Sequence, residues 1–192
     1  MRVVLIRHGE SIWNAQNRFT GWTDIDLSDS GHAQARAAAQ TLEELGFLPD
    51  RVFTSHLKRS IRTAWTILDQ LDRLWAPTHS LAALNERCFG DFEGLTKDQV
   101  RDRFGPAALT AFRAQPDWRP PGDRAESLAD LIDRVRPVWI DCIQPAVRSG
   151  ENVLVSVHGN TIRALDAIIR PAGQDAIDPD VPPAKPFVYS IA

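Results

Sequence analysis

Two apolar runs far apart in the chain end in the same dipeptide. Val3 to Ile6 passes without a spacer into Arg7-His8-Gly9-Glu10, and the run closing at Val157 passes into His158-Gly159-Asn160. Each reads as a buried strand that delivers an imidazole to the tip of a sheet, where open α/β folds hold their ligands. If both strands lie in one parallel sheet, both imidazoles project from the same edge. The glycine directly after His8 removes side-chain bulk, so that a ligand can approach closely.

The intervening chain has the order such a sheet requires. Ser28 caps an alanine-rich helix with Ala35, Ala38, Leu42 and Leu45 on one face, and Gly46 ends it. Arg51 to Thr54 is a second short strand. It runs through Ser55-His56-Leu57-Lys58-Arg59-Ser60 into a helix whose buried side is read as Ile61, Trp65, Leu68 and Leu71. Strand then helix, twice over, implies βαβ units and a parallel sheet. Ser80 to Leu84 reads as a third strand, followed by a glycine- and charge-rich loop from Asn85 to Leu95. Thr96 caps a short helix over Lys97 to Arg103. The proline-rich stretch around 115–125 is expected to be irregular, a surface excursion over the site. From about Glu126 a long helix carries the stripe Leu128, Leu131, Ile132, Val135, Val138, Trp139 and Cys142, with a kink expected at Pro137. Asn152 to Val157 is the clearest buried strand, Thr161 to Ile169 is helical, and Pro186 to Ile191 closes the chain as a strand at a sheet edge.

Composition narrows the function classes. At 192 residues, 43% hydrophobic and 24% charged, the chain reads as one ordinary globular domain over 1–192 without a linker. No apolar stretch approaches bilayer length and Met1 leads straight into a strand, so neither anchor nor signal peptide is expected. Cys88 and Cys142 alone offer no disulfide framework or zinc spacing, which suits a reducing compartment; the expected location is the cytoplasm. A net charge of −3 argues against nucleic-acid binding but leaves room for a small basic pocket.

A lone histidine at a strand end is more often hydrogen-bonded scaffolding than a catalyst. Here the pair is accompanied by Arg7 and by Arg59, which follows the second strand towards the same edge. Two histidines and two arginines together suit a phosphoryl group. No metal is expected, because the histidines are not at ligand spacing and arginines beside them disfavour a cation.

Longer blocks carry a family resemblance. Leu5-Ile-Arg-His-Gly-Glu-Ser-Ile-Trp-Asn14, Phe19-Thr-Gly-Trp-Thr-Asp-Ile-Asp-Leu-Ser28, Thr54-Ser-His-Leu-Lys-Arg-Ser-Ile-Arg-Thr63, Leu84-Asn-Glu-Arg-Cys-Phe-Gly90 and Val157-His-Gly-Asn-Thr-Ile-Arg-Ala-Leu165 occur in order over nearly the whole chain. They resemble the histidine phosphatase superfamily, and within it the cofactor-dependent phosphoglycerate mutases. The resemblance implies a three-layer α/β/α sandwich around a mostly parallel sheet with one antiparallel edge strand. It implies that His8 is a nucleophile taking a phosphoryl group, that Arg7, Arg59 and His158 hold its oxygens, and that Glu86 is the general acid/base. From its neighbours alone, Glu86 would be read as a surface partner of Arg87. Further binding residues implied are Ser11, Asn14, Thr20, Gly21, Arg87, Phe89, Lys97, Arg113, Gly159 and Asn160.

The chain departs from the mutase pattern at several positions. Phe89 stands where those enzymes carry a tyrosine, and Phe112-Arg113-Ala114 where they carry a tryptophan and two arginines. Each lost charge-assisted contact costs about 1.5–3 kcal/mol of anion binding. Gly90-Asp-Phe-Glu-Gly-Leu95 partly resembles the related phosphatases, and the family's C-terminal tail is not expected after the last strand. The main reading is interconversion of 3- and 2-phosphoglycerate through phospho-His8, with 2,3-bisphosphoglycerate as priming cofactor. The alternative is a phosphatase using the same nucleophile on a small phosphorylated metabolite. A non-catalytic phosphate-binding protein is a third reading, disfavoured by retention of the whole catalytic set. The partner implied is a small anionic substrate, with neither nucleic acid nor membrane; the family's dimers and tetramers leave a homo-oligomer open.

Overall fold

The computed structural model describes residues 2–170 and 178–191. Strand β1 (Arg2–Arg7) leads through a single-turn helix α1 (Ile12–Ala15) to α2 (Asp29–Glu44), β2 (Arg51–Thr54), α3 (Lys58–Gln70) and β3 (Thr78–Ser80). Then follow α4 (Lys97–Phe104), α5 (Pro106–Ala114), α6 (Leu128–Val138), α7 (Gln144–Arg148), β4 (Val153–Val157), α8 (Gly159–Ile169) and β5 (Pro186–Ser190).

The sheet has the order β3-β2-β4-β1-β5, parallel throughout except for β5, which runs antiparallel along β1 at the edge. Residue parity within the strands sets the layers. Val3 and Leu5 of β1 and Val153, Val155 and Val157 of β4 pack under α6 and α8, while Val4, Ile6, Val52 and Leu154 pack under α2 and α3. Every residue of β4 is buried, as expected of a central parallel strand covered on both faces. The register places Arg7 opposite Val157 and Thr54 opposite Ser156, so β1, β2 and β4 all finish at one edge. No helix among the described residues is long and apolar enough to cross a membrane.

Three local expectations are corrected. The third strand is Thr78–Ser80, and Ala82–Leu84 is a 3-10 turn instead. Trp65 is 57% exposed, because α3 turns Ser60, Thr63, Ala64, Ile67 and Leu68 inward; the small residues let the helix approach the sheet closely. Pro137 lies inside α6, and a π-helical turn over Trp139–Ile143 follows it. Gly9, finally, makes room for protein: a Cβ there would lie 2.3 Å from the Gly31 carbonyl oxygen, and one on Gly31 would lie 2.1 Å from that of Glu10. The two glycines interlock the loop after β1 with the first turn of α2.

A smaller aromatic core lies beyond the sheet edge. Phe89, Phe92, Val100 and Phe112 are buried together, with Phe19, Phe104 and Trp118 packed against them. The proline-rich segment is irregular and is tied to the 85–95 loop, with Asp91 N donating to Pro121 O and Glu126 N to Cys88 O.

Candidate active site

The strand ends assemble the centre. His8 N donates to Val157 O at 2.9 Å, one step beyond the β1–β4 ladder, which holds His8 beside His158 with ring centroids 5.1 Å apart. Arg59 lies in the first turn of α3, fully buried. Its Nε donates to His8 Nε2 at 3.3 Å, and its terminal nitrogens donate to Thr23 O and Gly21 O at 2.9 and 2.8 Å. Arg7 donates through Nη1 to Val181 O at 2.6 Å. Glu86 is buried and accepts the Arg87 N–H at 2.8 Å.

These neighbours set the protonation states. His8 Nδ1 lies 2.6 Å from Gly9 O, and a carbonyl can only accept, so Nδ1 carries the proton and Nε2 the lone pair. Burial, then Arg59, then Arg7 hold the His8 pKa well below the ordinary imidazole value, and burial with the same arginines does so for His158. Glu86 shifts the opposite way: burial raises its pKa against the opposing pull of the Arg87 N–H and the two arginines. Arg59 is lowered by burial to about 10, still a cation at neutral pH. The centre therefore pairs a nucleophile held neutral with a carboxyl whose pKa is raised, shifts in the directions that suit attack on phosphorus and protonation of a leaving oxygen.

Among the described residues, three buried side-chain polar atoms lack a hydrogen-bond partner: Arg7 Nε, Thr20 Oγ1 and His158 Nδ1. All three belong to this centre. Arg7 and Thr20 line its cavity, and His158 packs edge-on against His8. A buried unsatisfied polar atom costs about 1–3 kcal/mol, so three of them together mark a place built for a polar ligand. The guanidinium N–H, the hydroxyl and, in the tautomer with Nδ1 protonated, the imidazole N–H suit the oxygens of a phosphoryl group.

A family model described as the histidine phosphatase superfamily (branch 1) matches residues 3–179. The chain belongs to this superfamily. Solved structures similar to this histidine phosphatase domain include a mycobacterial glucosyl-3-phosphoglycerate phosphatase in complex with VO3, 27% identical with a TM-score of 0.80 over 98% of this chain and 90% of that one. YhfR of Bacillus stearothermophilus is 27% identical with a TM-score of 0.79 over 100% and 91%. TTHB049 from Thermus thermophilus is 30% identical with a TM-score of 0.68 over 98% and 92%.

The cavity of this superfamily member, about 210 Å³, is lined by Arg7, His8 and Arg59 at its base, with Glu86 on its wall. Of the other residues expected from the sequence, Asn14, Thr20, Gly21, Phe89, Lys97, Arg113, Gly159 and Asn160 also line it. Ser11 and Arg87 do not. Ser11 is fully buried and its hydroxyl accepts the Asn14 N–H as the cap of α1, so its part is to hold Asn14 at the wall. Arg87 donates to Glu126 O, Phe112 O and Trp118 O and lies 4.3 Å over the Phe112 ring. With its donors engaged by carbonyls, it is a tether for the 112–126 segment and not a substrate cation. Burial lowers its pKa to about 10.

Sequence reasoning missed Arg18, Phe19, Phe112, Arg163, Pro179 and Asp180 as lining residues, and Arg134, which donates to the Glu86 carbonyl. Arg134 forms a partly buried ion pair with Glu126 and donates to Ala83 O, Asn85 O and Glu86 O, while Trp22 Nε1 also donates to Glu86 O. Together they fix the backbone that carries Glu86. Arg163, one helical turn after Asn160 in the block His158–Leu165, had a legible signal in the α8 periodicity. Asp180 and Arg134 had none, because their approach to the site depends on how distant segments pack.

Proposed function

We propose that this chain is a phosphatase that hydrolyses a small phosphomonoester through a phosphohistidine at His8. In the first step the Nε2 lone pair attacks phosphorus, the bond from phosphorus to the ester oxygen breaks, and protonated Glu86 gives its proton to the departing alcohol. Arg7, Arg59 and His158 stabilise the charge on the transferring oxygens. In the second step the Glu86 carboxylate takes a proton from water, the resulting nucleophile attacks phosphorus, and the N–P bond breaks to release inorganic phosphate.

The observation that carries water over a second substrate hydroxyl as acceptor is the makeup of the leaving-group end of the cavity. Phe89 offers a ring where a hydroxyl would donate, its ring meets Phe19 and Phe112 edge-on, and Arg87 is engaged elsewhere. A mutase must retain a bisphosphorylated intermediate there until it turns over. The structural similarity to glucosyl-3-phosphoglycerate phosphatase supports the same reading. In a phosphatase, 2,3-bisphosphoglycerate is not needed as a primer. The mutase reading, in which it would be, is the outcome to test against.

The full chain should be given p-nitrophenyl phosphate and 3-phosphoglycerate, the latter with and without 2,3-bisphosphoglycerate. Free phosphate is expected as the main product, without dependence on the bisphosphate. 2-Phosphoglycerate appearing only when the bisphosphate is present would overturn the reading in favour of the mutase. Absence of any phosphoryl transfer would overturn it in favour of a binding protein.

A further inference from the structure

The cavity contains one carboxylate that the mechanism does not use. Asp180 is exposed at its mouth, opposite in charge to Arg7, Arg18, Arg59, Lys97, Arg113 and Arg163 around it. It makes no ion pair among the described residues; its backbone N–H donates to Asp178 Oδ1 at 2.8 Å.

Its place is fixed by the next residues. Val181 is buried in the core under α6 and α8, and its carbonyl accepts from Arg7 Nη1 at 2.6 Å. Ala184 N in turn donates to Arg7 O at 2.9 Å. The chain entering β5 is thus clamped to the end of β1, which holds the exposed Asp180 at the rim of the cavity. Its charge also favours the protonated Arg7 guanidinium.

We propose that Asp180 is a specificity residue: it accepts hydrogen bonds from hydroxyls of the leaving group and repels a second phosphoryl group at the mouth. The substrate class is then a monophosphate ester of a hydroxylated alcohol, with bisphosphates disfavoured. This deepens the phosphatase reading, since an acid placed at the mouth works against retention of a bisphosphorylated intermediate. It does not position Arg7, which is already held by Val181 O.

3-Phosphoglycerate and 2,3-bisphosphoglycerate form a matched pair, differing by a hydroxyl or a phosphate at the same carbon. Their dissociation constants should be measured by calorimetry on the full chain carrying His8→Ala, which cannot be phosphorylated at that position, with Asp180 intact, Asp180→Asn and Asp180→Glu. Asp180→Asn should shift the ratio of the two constants towards the bisphosphate by about tenfold at low salt, with the shift shrinking in ~0.5 M salt as an exposed charge is screened. Asp180→Glu should keep the original preference. An unchanged ratio in Asp180→Asn, or a shift indifferent to salt, would overturn the proposal. Because binding is read without turnover, this result is separate from whether the chain hydrolyses phosphoesters.

Discussion

His8 and Glu86 share a cavity but are driven in opposite directions by it. Burial disfavours the charged form of each, which lowers an imidazole pKa and raises a carboxyl pKa. The acid limb of kcat/KM contributed by His8 should therefore fall below pH 6.5, and the alkaline limb should belong to Glu86. Arg59 is the second-largest cause of the His8 depression, so removing its charge stabilises imidazolium and raises that pKa. In Arg59→Gln the His8 acid limb should move up, by less than the full depression because burial remains. pH–rate profiles of the two proteins check this. Glu86→Gln should lower kcat by about 10²–10⁴-fold, the usual range for a lost general acid, and abolish the alkaline limb. His8→Ala should abolish acid-labile phosphorylation; a fully labelled variant would refute His8 as the nucleophile.

At the scale of elements, the site depends on two braces that touch no substrate. The Gly9–Gly31 contact sets how closely α2 approaches the loop after His8. Gly31→Ala must push that loop away, and overpacking of this kind costs about 1–3 kcal/mol; denaturant unfolding measures it. Because the displaced loop carries the partner of His8 Nδ1, kcat should fall along with stability. Arg134 is the second brace. Arg134→Met leaves Glu126 without its ion pair and Ala83 O without its side-chain donor, while Asn85 O keeps Thr161 Oγ1 and Glu86 O keeps Trp22 Nε1, and should cost about 2–3 kcal/mol given that the pair is only partly buried. Its catalytic signature should be a drop in kcat with a smaller change in KM, since it holds Glu86 and does not touch the binding residues.

Across the whole molecule, unsatisfied polar atoms and clustered cations are concentrated in one place. The described structure has its orphaned buried atoms at the His8 centre and six cations lining the same cavity. An anion that satisfies them binds the folded chain only, so it should raise the unfolding temperature. At a hundred times its dissociation constant, inorganic phosphate should add about 2.7 kcal/mol. Calorimetric scans with and without phosphate test this. His158→Ala, which removes one of the three orphans, should weaken the response, and an unchanged response would detach His158 from the anion site.

What the sequence determined on its own was the sheet and its chemical edge. The runs before His8 and His158 are apolar but for Arg7 and Ser156, a pattern that suits strands covered on both faces, and their shared ending places both imidazoles at one tip. Capping by Ser28 and Thr96 is equally local, because a hydroxyl and the amide three residues on suffice to form it. The fate of the long polar side chains was not local. Arg87 and Lys97 look alike as sequence, yet one is buried among carbonyls and the other lies in the cavity wall. Trp65 and Leu68 share a helix, yet only the latter faces the sheet. Only the tertiary structure decided these, along with the approach of Asp180 to Arg7, because a guanidinium or carboxylate takes its role from whichever backbone and charges distant segments bring within reach. The sequence around His8 and His158 could name the residues suited to carry a phosphoryl group; the packing of segments far from both shaped the end of the cavity that receives what the group leaves behind.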